Sequence, residues 1–340
     1  MCGRTELGFL VYELTEACNQ NCLFCYNHWR PAGCNPVDTR LARHTLRKIL
    51  SQAKIGSISF SGGEPSLLGN LHDLVLKCRF AGSNVNVLTN GTLLTEADIR
   101  NFASLGIGTI QIPLLSHNCS VHDSLTRLPQ SWEKARASLE LALGILGADH
   151  VAAVLIVTAR NASDLDPTLD LYRELGLRTI MVNRFNIGGN GIANRRELEL
   201  APDQLRTAFR CISDFSVRHP GMSFASGVCT PMCLMNPDDY PGIKFTSCTT
   251  DLRQRPLAIS ASGDVRFCNH SPFVLGNIYQ RPLREILEDE SLIARYTGVP
   301  QECSACHLYP RCKGGCRAAS EQLYGSFSRI DPIAETLLAK

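Results

Sequence analysis

The run Glu16-Ala17-Cys18-Asn19-Gln20-Asn21-Cys22-Leu23-Phe24-Cys25-Tyr26-Asn27 places three cysteines on one short loop, spaced C-x3-C-x2-C. The count matters because it is three. A structural zinc site closes with four ligands in a tetrahedron. Iron–sulfur cubes are bound by cysteine thiolates. Cys18, Cys22 and Cys25 can therefore hold three corners of a [4Fe–4S] cube, leaving the fourth iron to a ligand that is not protein. The alternative at this point is part of a zinc site, completed by His28 or a distant residue.

Outward from the loop, short apolar or β-branched runs alternate with amphipathic stretches. The pattern predicts strands over 7–14, 57–60, 84–89, 109–114, 151–158 and 179–182. Thr95-Glu96-Ala97-Asp98 reads as a capping box with Gly106 as its stop, and Asp164 opens a helix that ends before Gly176. Strand–helix alternation implies a parallel sheet with crossovers. The six βα units are two short of the eight in a closed barrel. The expected fold is α/β: a partial (βα)6 barrel over residues 1–191, a connecting region over 192–235 with a helix at 202–219, and a cysteine-rich domain over 236–340.

Ser61-Gly62-Gly63-Glu64-Pro65 directly follows the second strand, where parallel α/β folds bind ligands. Two glycines there allow close backbone approach, although a tight turn would use them too. Thr89-Asn90-Gly91 ends the third strand in the same way, and an ordinary Asn-Gly turn is the plain reading of it. Farther on, Cys248, Gly263 and Cys268 precede Cys303-x2-Cys306-x5-Cys312-x3-Cys316. A physical alternative is one or two zinc sites, for example a closed set from the last four cysteines.

The cysteine loop, with Phe24 before its last cysteine, resembles the signature of the radical S-adenosylmethionine (SAM) superfamily. Ser61–Pro65 resembles that family's Gly-Gly-Glu-Pro motif. Cys248 to Cys316 closely resembles the SPASM domain, which carries auxiliary iron–sulfur clusters. The resemblance implies an open iron that chelates SAM, and an electron that splits the sulfonium to a 5′-deoxyadenosyl radical, which takes hydrogen from a substrate. It assigns SAM contacts to Phe24, Gly62, Gly63, Glu64, Pro65, Asn90, Thr158 and Asn161. The glutamate would face the SAM ammonium. After the fourth strand this chain departs from the family's Ser-Leu-Asp-Gly. It reads Pro113-Leu114-Leu115-Ser116, so the polar contact is missing or comes from Ser116 and His117. His122-Asp123 and Arg127 resemble the family's continuation, with a buried structural role as the alternative.

By the same resemblance, Cys248, Cys268 and Cys316 serve one auxiliary cluster together with an upstream cysteine, expected to be Cys233 rather than Cys229. Cys303, Cys306 and Cys312 serve the other. Where relatives end in Asp-Pro-x-Cys, this chain reads Asp331-Pro332-Ile333-Ala334. The second auxiliary cluster is thus expected to have three thiolates, with Asp331 as an oxygen ligand or one iron open, unless it is absent. Cys2, Cys34, Cys78, Cys119 and Cys211 lie off the pattern and are expected to be structural.

Composition bounds the partners. Lys and Arg number 34 against 32 Asp and Glu, so no strong field recruits nucleic acid or an anionic membrane. The apolar run 151–157 is far short of the ~20 residues that span a bilayer. No signal sequence is read, and 16 cysteines then point to metal in a reducing cytoplasm. SPASM relatives modify peptides or proteins, so a peptide substrate is expected, with an electron donor such as a flavodoxin or ferredoxin. Sulfatase maturation is disfavoured. Those relatives look to an aspartate base after the second cysteine of the first auxiliary pair, and here Asn269 follows Cys268. The other readings are a small-molecule enzyme acting on haem side chains or alcohols, and a non-catalytic redox protein.

Overall fold

In a computed structural model, residues 4–338 are described except Cys34 and Arg253. The expectations for Cys2 and Cys34 fall outside them. All six predicted strands form: β1 (Thr5–Thr15), β2 (Ala53–Gly62), β3 (Asn84–Leu88), β4 (Thr109–Pro113), β5 (Val151–Val157) and β6 (Thr179–Arg184). They pair in parallel in sequence order, with Leu10 opposite Ile58 and Ile58 opposite Val85.

Two further parallel strands, β7 (Ser223–Ser226) and β8 (Ile243–Phe245), extend the sheet beyond β6. At four and three residues they are too short to show as periodic runs. On the opposite side β9 (Leu257–Ser260) pairs in parallel with β1. The hairpin β9–β10 (Asp264–Arg266) turns at Ser262-Gly263, and β11 (Val274–Asn277) completes the edge. Both strands that would have to meet to close a six-stranded barrel therefore have other neighbours. The barrel stays open.

Alternation of side chains sorts the sheet into two faces. The outer face packs on the crossover helices, as where Tyr12 donates from its hydroxyl to the Ala42 carbonyl at 2.7 Å. The helix Glu96–Ser104 carries the expected capping box between Thr95 and Asp98. The helix Leu165–Glu174 begins after Asp164 as read, but its cap makes no side-chain bond, because the Asp164 carboxylate accepts from Ser116 instead. The inner face is polar low in the barrel. Asn86 donates to Ser57 and Ser59 at 3.1 and 3.3 Å and accepts from Thr109 at 3.0 Å.

Two buried ion pairs join the barrel to the cysteine-rich region, one at each side. Arg266 on β10 donates to Glu13 on β1, and Arg184 at the end of β6 donates to Asp331 near the C-terminus. All four side chains are at most 3% exposed. Buried pairs contribute more to fixing one arrangement than to net stability, but removal of one partner is costly.

Candidate active site

The cysteine loop follows β1 and folds back across the mouth of the barrel. Leu23 N–H bonds the Leu125 carbonyl at 2.9 Å, and Asn190 donates to the Cys22 carbonyl at 3.1 Å. Gln322 reaches in from the helix Arg317–Tyr324. It donates to the carbonyls of Tyr26 and His270 at 2.8 and 2.7 Å and accepts from Gly189 N–H at 2.9 Å. One side chain thus links the cysteine loop, the β6 exit and the auxiliary region. Burial pushes Cys18 up to about 11 and raises Cys22 and Cys25 as well. As free thiols all three stay protonated, so metal binding there must release protons.

Beside the thiols lies a cavity lined by Cys18, Cys22, Phe24, Cys25, Gly62, Gly63, Glu64 and Asn90, with Leu88, Val154 and Ile156 from the strand ends. The thiols and the expected SAM-contacting turns therefore share one wall. Glu64 is 1% exposed. Its carboxylate accepts from Ser66 N–H and hydroxyl (2.9 and 2.7 Å), Thr89 Oγ1 (2.6 Å) and Asn90 N–H (2.7 Å). Burial raises its pKa against the pull of these donors. Among the described residues it has no cationic partner, which suits it to a ligand ammonium. Asn90 also donates to Asn19 at 2.8 Å and so joins the third-strand turn to the cysteine loop.

Besides lining the cavity, Gly62 and Gly63 serve the backbone. A Cβ on Gly63 would lie 2.0 Å from the Ala17 carbonyl oxygen, and one on Gly62 2.3 Å from that of Thr15. Their absence lets Gly63 N–H and Glu64 N–H bond Thr15 and Ala17 carbonyls at 2.6 and 2.8 Å. The second-strand turn thereby fixes the entry to the cysteine loop.

Three residues expected to contact SAM do not lie on this wall. Thr158 and Asn161 do not line the cavity and are 0% and 1% exposed. Asn161 Oδ1 accepts from Thr158 N–H and hydroxyl, and its amide donates to the Leu115 and Ile156 carbonyls, so its polar capacity is used in closing the β5 end. Pro65 is buried at the start of a 3-10 turn that Glu64 caps, away from the cavity wall. Ser116 and His117 do not supply the missing polar contact either. Ser116 bonds Asp164, and His117 N–H bonds Thr168.

His122 instead presents a polar atom to the cavity. Its Nδ1 accepts from Leu115 N–H at 3.1 Å, which leaves the ring proton on Nε2. Burial lowers its pKa to about 4, so the ring is neutral. Nε2 is buried without a partner, and the residue lines the cavity. Gln20, Tyr26, Asn27, Gln111 and Thr126 line it too. The sequence singles out none of these five, since only folding brings them to one wall. Asn269 donates to the Tyr26 hydroxyl, next to Cys25.

The fourteen described cysteines are all free. Cys78 is buried, Cys119 is exposed, and Cys211 donates to Asp166 at 3.3 Å. In the auxiliary region Cys229, Cys268 and Cys316 pack in one cluster. A hydrogen bond from Cys229, helped by the Arg255 guanidinium, pushes Cys248 down to about 6. Asn186 donates to Cys316 Sγ at 3.2 Å. Cys233 lies elsewhere, beside Cys312 and Cys306. The fold thus sets Cys229, not the expected Cys233, beside the first set.

Asp331 is also corrected as a ligand. Its carboxylate is buried and taken by Arg184 and the N–H groups of Cys316 (2.8 Å) and Ile333 (3.2 Å). Among the described residues no three His, Cys, Asp or Glu side chains converge tightly enough to grip one metal ion. The thiols are gathered but spread, an arrangement suited to the corners of a polynuclear cluster.

Comparison with known proteins agrees with this layout. The radical SAM superfamily model matches residues 12–172, and an iron–sulfur cluster-binding domain model (SPASM) matches 248–316. A PqqA peptide cyclase of Streptomyces rochei is 29% identical over 339 residues, covering 96% of this chain and 88% of the relative. An AdoMet-dependent heme synthase of Methanosarcina barkeri is 24% identical over 343 residues, covering 95% of each. Among solved structures, Streptococcus suis SuiB bound to precursor peptide SuiA aligns with TM-score 0.74 and 15% identity, over 97% of this chain and 76% of that one. The anSMEcpe enzyme with bound AdoMet and the Cp18Cys peptide aligns with TM-score 0.72 and 18% identity, over 98% and 95%. No helix among the described residues is long and apolar enough to cross a membrane. The chain carries a radical SAM superfamily domain, followed by a SPASM-type iron–sulfur cluster-binding region.

Proposed function

We propose that this chain is a radical SAM enzyme that modifies a peptide or protein. The observation that carries the reading is the shared wall of the barrel cavity, where Cys18, Cys22 and Cys25 stand beside the buried Glu64 carboxylate and the unpartnered His122 Nε2. Cys18, Cys22 and Cys25 would hold the cluster. Glu64 would hold the SAM ammonium through a charge-assisted bond. His122 Nε2–H would donate to an acceptor on the same ligand. When bound, cluster and SAM supply one-electron cleavage of the sulfonium and a carbon radical able to take hydrogen. The protein's part is to hold the ligand's ends, position the substrate C–H and keep quenching groups out. Leu88, Val154 and Ile156 present an apolar wall for this.

The peptide assignment is supported by the cyclase relatives and by the peptide-bound proteins that share the fold. The heme synthase relative supports a small-molecule substrate as the second reading. A cytoplasmic setting suits a chain whose cysteines serve clusters, and a flavodoxin or ferredoxin would deliver the electron. Anaerobic protein incubated with SAM and dithionite should release 5′-deoxyadenosine. Release that rises with peptide substrates and not with porphyrins supports the first reading, and the reverse replaces it with the second. No 5′-deoxyadenosine under any condition overturns both.

A further inference from the structure

Residues 317–340 hold no cysteine that could join Cys303, Cys306 and Cys312. The segment 229–235 is built to deliver one. Arg184 holds its first end, donating to the Cys229 carbonyl at 2.8 Å and to Thr230 Oγ1 at 3.2 Å. Pro231 then turns the chain, its carbonyl accepting from Leu234 and Met235 N–H at 3.0 Å each. The Pro231 ring sits on Gly315, where a Cβ would lie 2.6 Å from its Cγ. At the tip, Met232 N–H donates to Cys312 Sγ at 3.3 Å, and Cys233 is the next residue.

The loop thus lies between the two thiol sets and its cysteines diverge. Cys229 goes to Cys248 and Cys316, while Cys233 goes to Cys312 and Cys306, with Cys303 in electrostatic reach. Cys312 and Cys316 divide between the sets in the same way, at the same C-x3-C spacing. Two C-x3-C segments facing one another each place one thiol beside each set. Both Cys229 and Cys233 lie outside the matched iron–sulfur segment 248–316.

We propose that Cys233 is the fourth thiolate of the second auxiliary iron–sulfur cluster, closing the set Cys233, Cys303, Cys306 and Cys312. The inference rests on the iron–sulfur reading of this region. It replaces the expected oxygen ligand or open iron with a closed four-thiolate site, so this cluster has no coordination position for substrate.

The test uses the full chain with Cys18, Cys22 and Cys25 changed to Ala, so that only auxiliary iron is counted. After anaerobic reconstitution this parent should hold about eight irons, for two cubes. Adding Cys233→Ala should either remove about four irons or leave one iron open, so that added cyanide shifts the EPR signal of the reduced cluster. Cys233→Ser should keep the irons but shift the signal. Unchanged iron content, EPR and cyanide insensitivity in Cys233→Ala overturn the ligand assignment, provided Cys306→Ala does lose iron. If Cys306→Ala also loses none, or the parent holds zinc there instead of iron and sulfide, the cluster reading itself fails. Circular dichroism that matches the parent separates ligand loss from misfolding, and the Cys233→Ser arm still decides the assignment if Cys233→Ala unfolds.

Discussion

The barrel site and the auxiliary region collect their thiols in opposite ways. The barrel takes all three from one loop, Cys18 to Cys25, set on a sheet with its own apolar core. The auxiliary region gathers eight from four places, namely the 229–233 loop, Cys248, Cys268 beyond the β9–β10 hairpin, and the run 303–316. Local spacing organises the first. Long-range docking organises the second, and its chief devices are a proline on a glycine and an arginine on a buried carboxylate. A site gathered this way should depend on metal and on those joints for its fold.

The sharpest break of that comparison is Cys22→Ala. It should abolish 5′-deoxyadenosine formation while leaving the auxiliary iron in place, because the two regions take no thiols from each other. Iron analysis and product quantification check it together. Loss of auxiliary iron as well would mean that the regions are not independent.

Next come the seams. Arg184→Ala strands the buried Asp331 carboxylate and frees the Cys229 carbonyl, and such a break typically costs about 3–5 kcal/mol. Denaturant unfolding of the anaerobic protein should show the loss. Arg266→Ala should cost a similar amount at the Glu13 seam but perturb the auxiliary EPR signals less, since Arg266 bonds the Ser271 carbonyl beyond Cys268 and not a cysteine of the set. Equal effects on the auxiliary signals would erase the distinction between the two seams.

A methyl group tests the two docked turns. Gly63→Ala places Cβ 2.0 Å from the Ala17 carbonyl and should disorder the cysteine loop, with loss of the SAM-binding cluster alone. Gly315→Ala places Cβ 2.6 Å from Pro231 at a positive φ of 77°, and should weaken both auxiliary sets instead. Iron counts on the two variants sort the outcomes.

Smaller effects belong to the cavity. Glu64→Gln keeps the shape and removes the charge, so SAM affinity should fall by about 1.5–3 kcal/mol, measured by calorimetry on the clustered protein. His122→Ala removes one neutral donor and should cost about 0.5–1.5 kcal/mol. An unchanged dissociation constant in either variant would show that the side chain faces away from SAM.

The sequence by itself determined what depends on near neighbours. Six strands, the Thr95–Asp98 cap and the three-thiol loop all arise from patterns within a few residues, where backbone geometry leaves little choice. Tertiary structure decided whatever joins distant segments. Which thiol set Cys229 and Cys233 each approach turns on Pro231 docking at Gly315, more than 80 residues away in the chain. Gly62 and Gly63 proved to serve the 15–17 backbone, which no spacing reveals. His122 resembles a polar family position in the sequence, but its free Nε2 exists only because Leu115 N–H occupies Nδ1. A buried polar group's role is set by which of its atoms the fold leaves without a partner, and that can be counted only once the chain is packed.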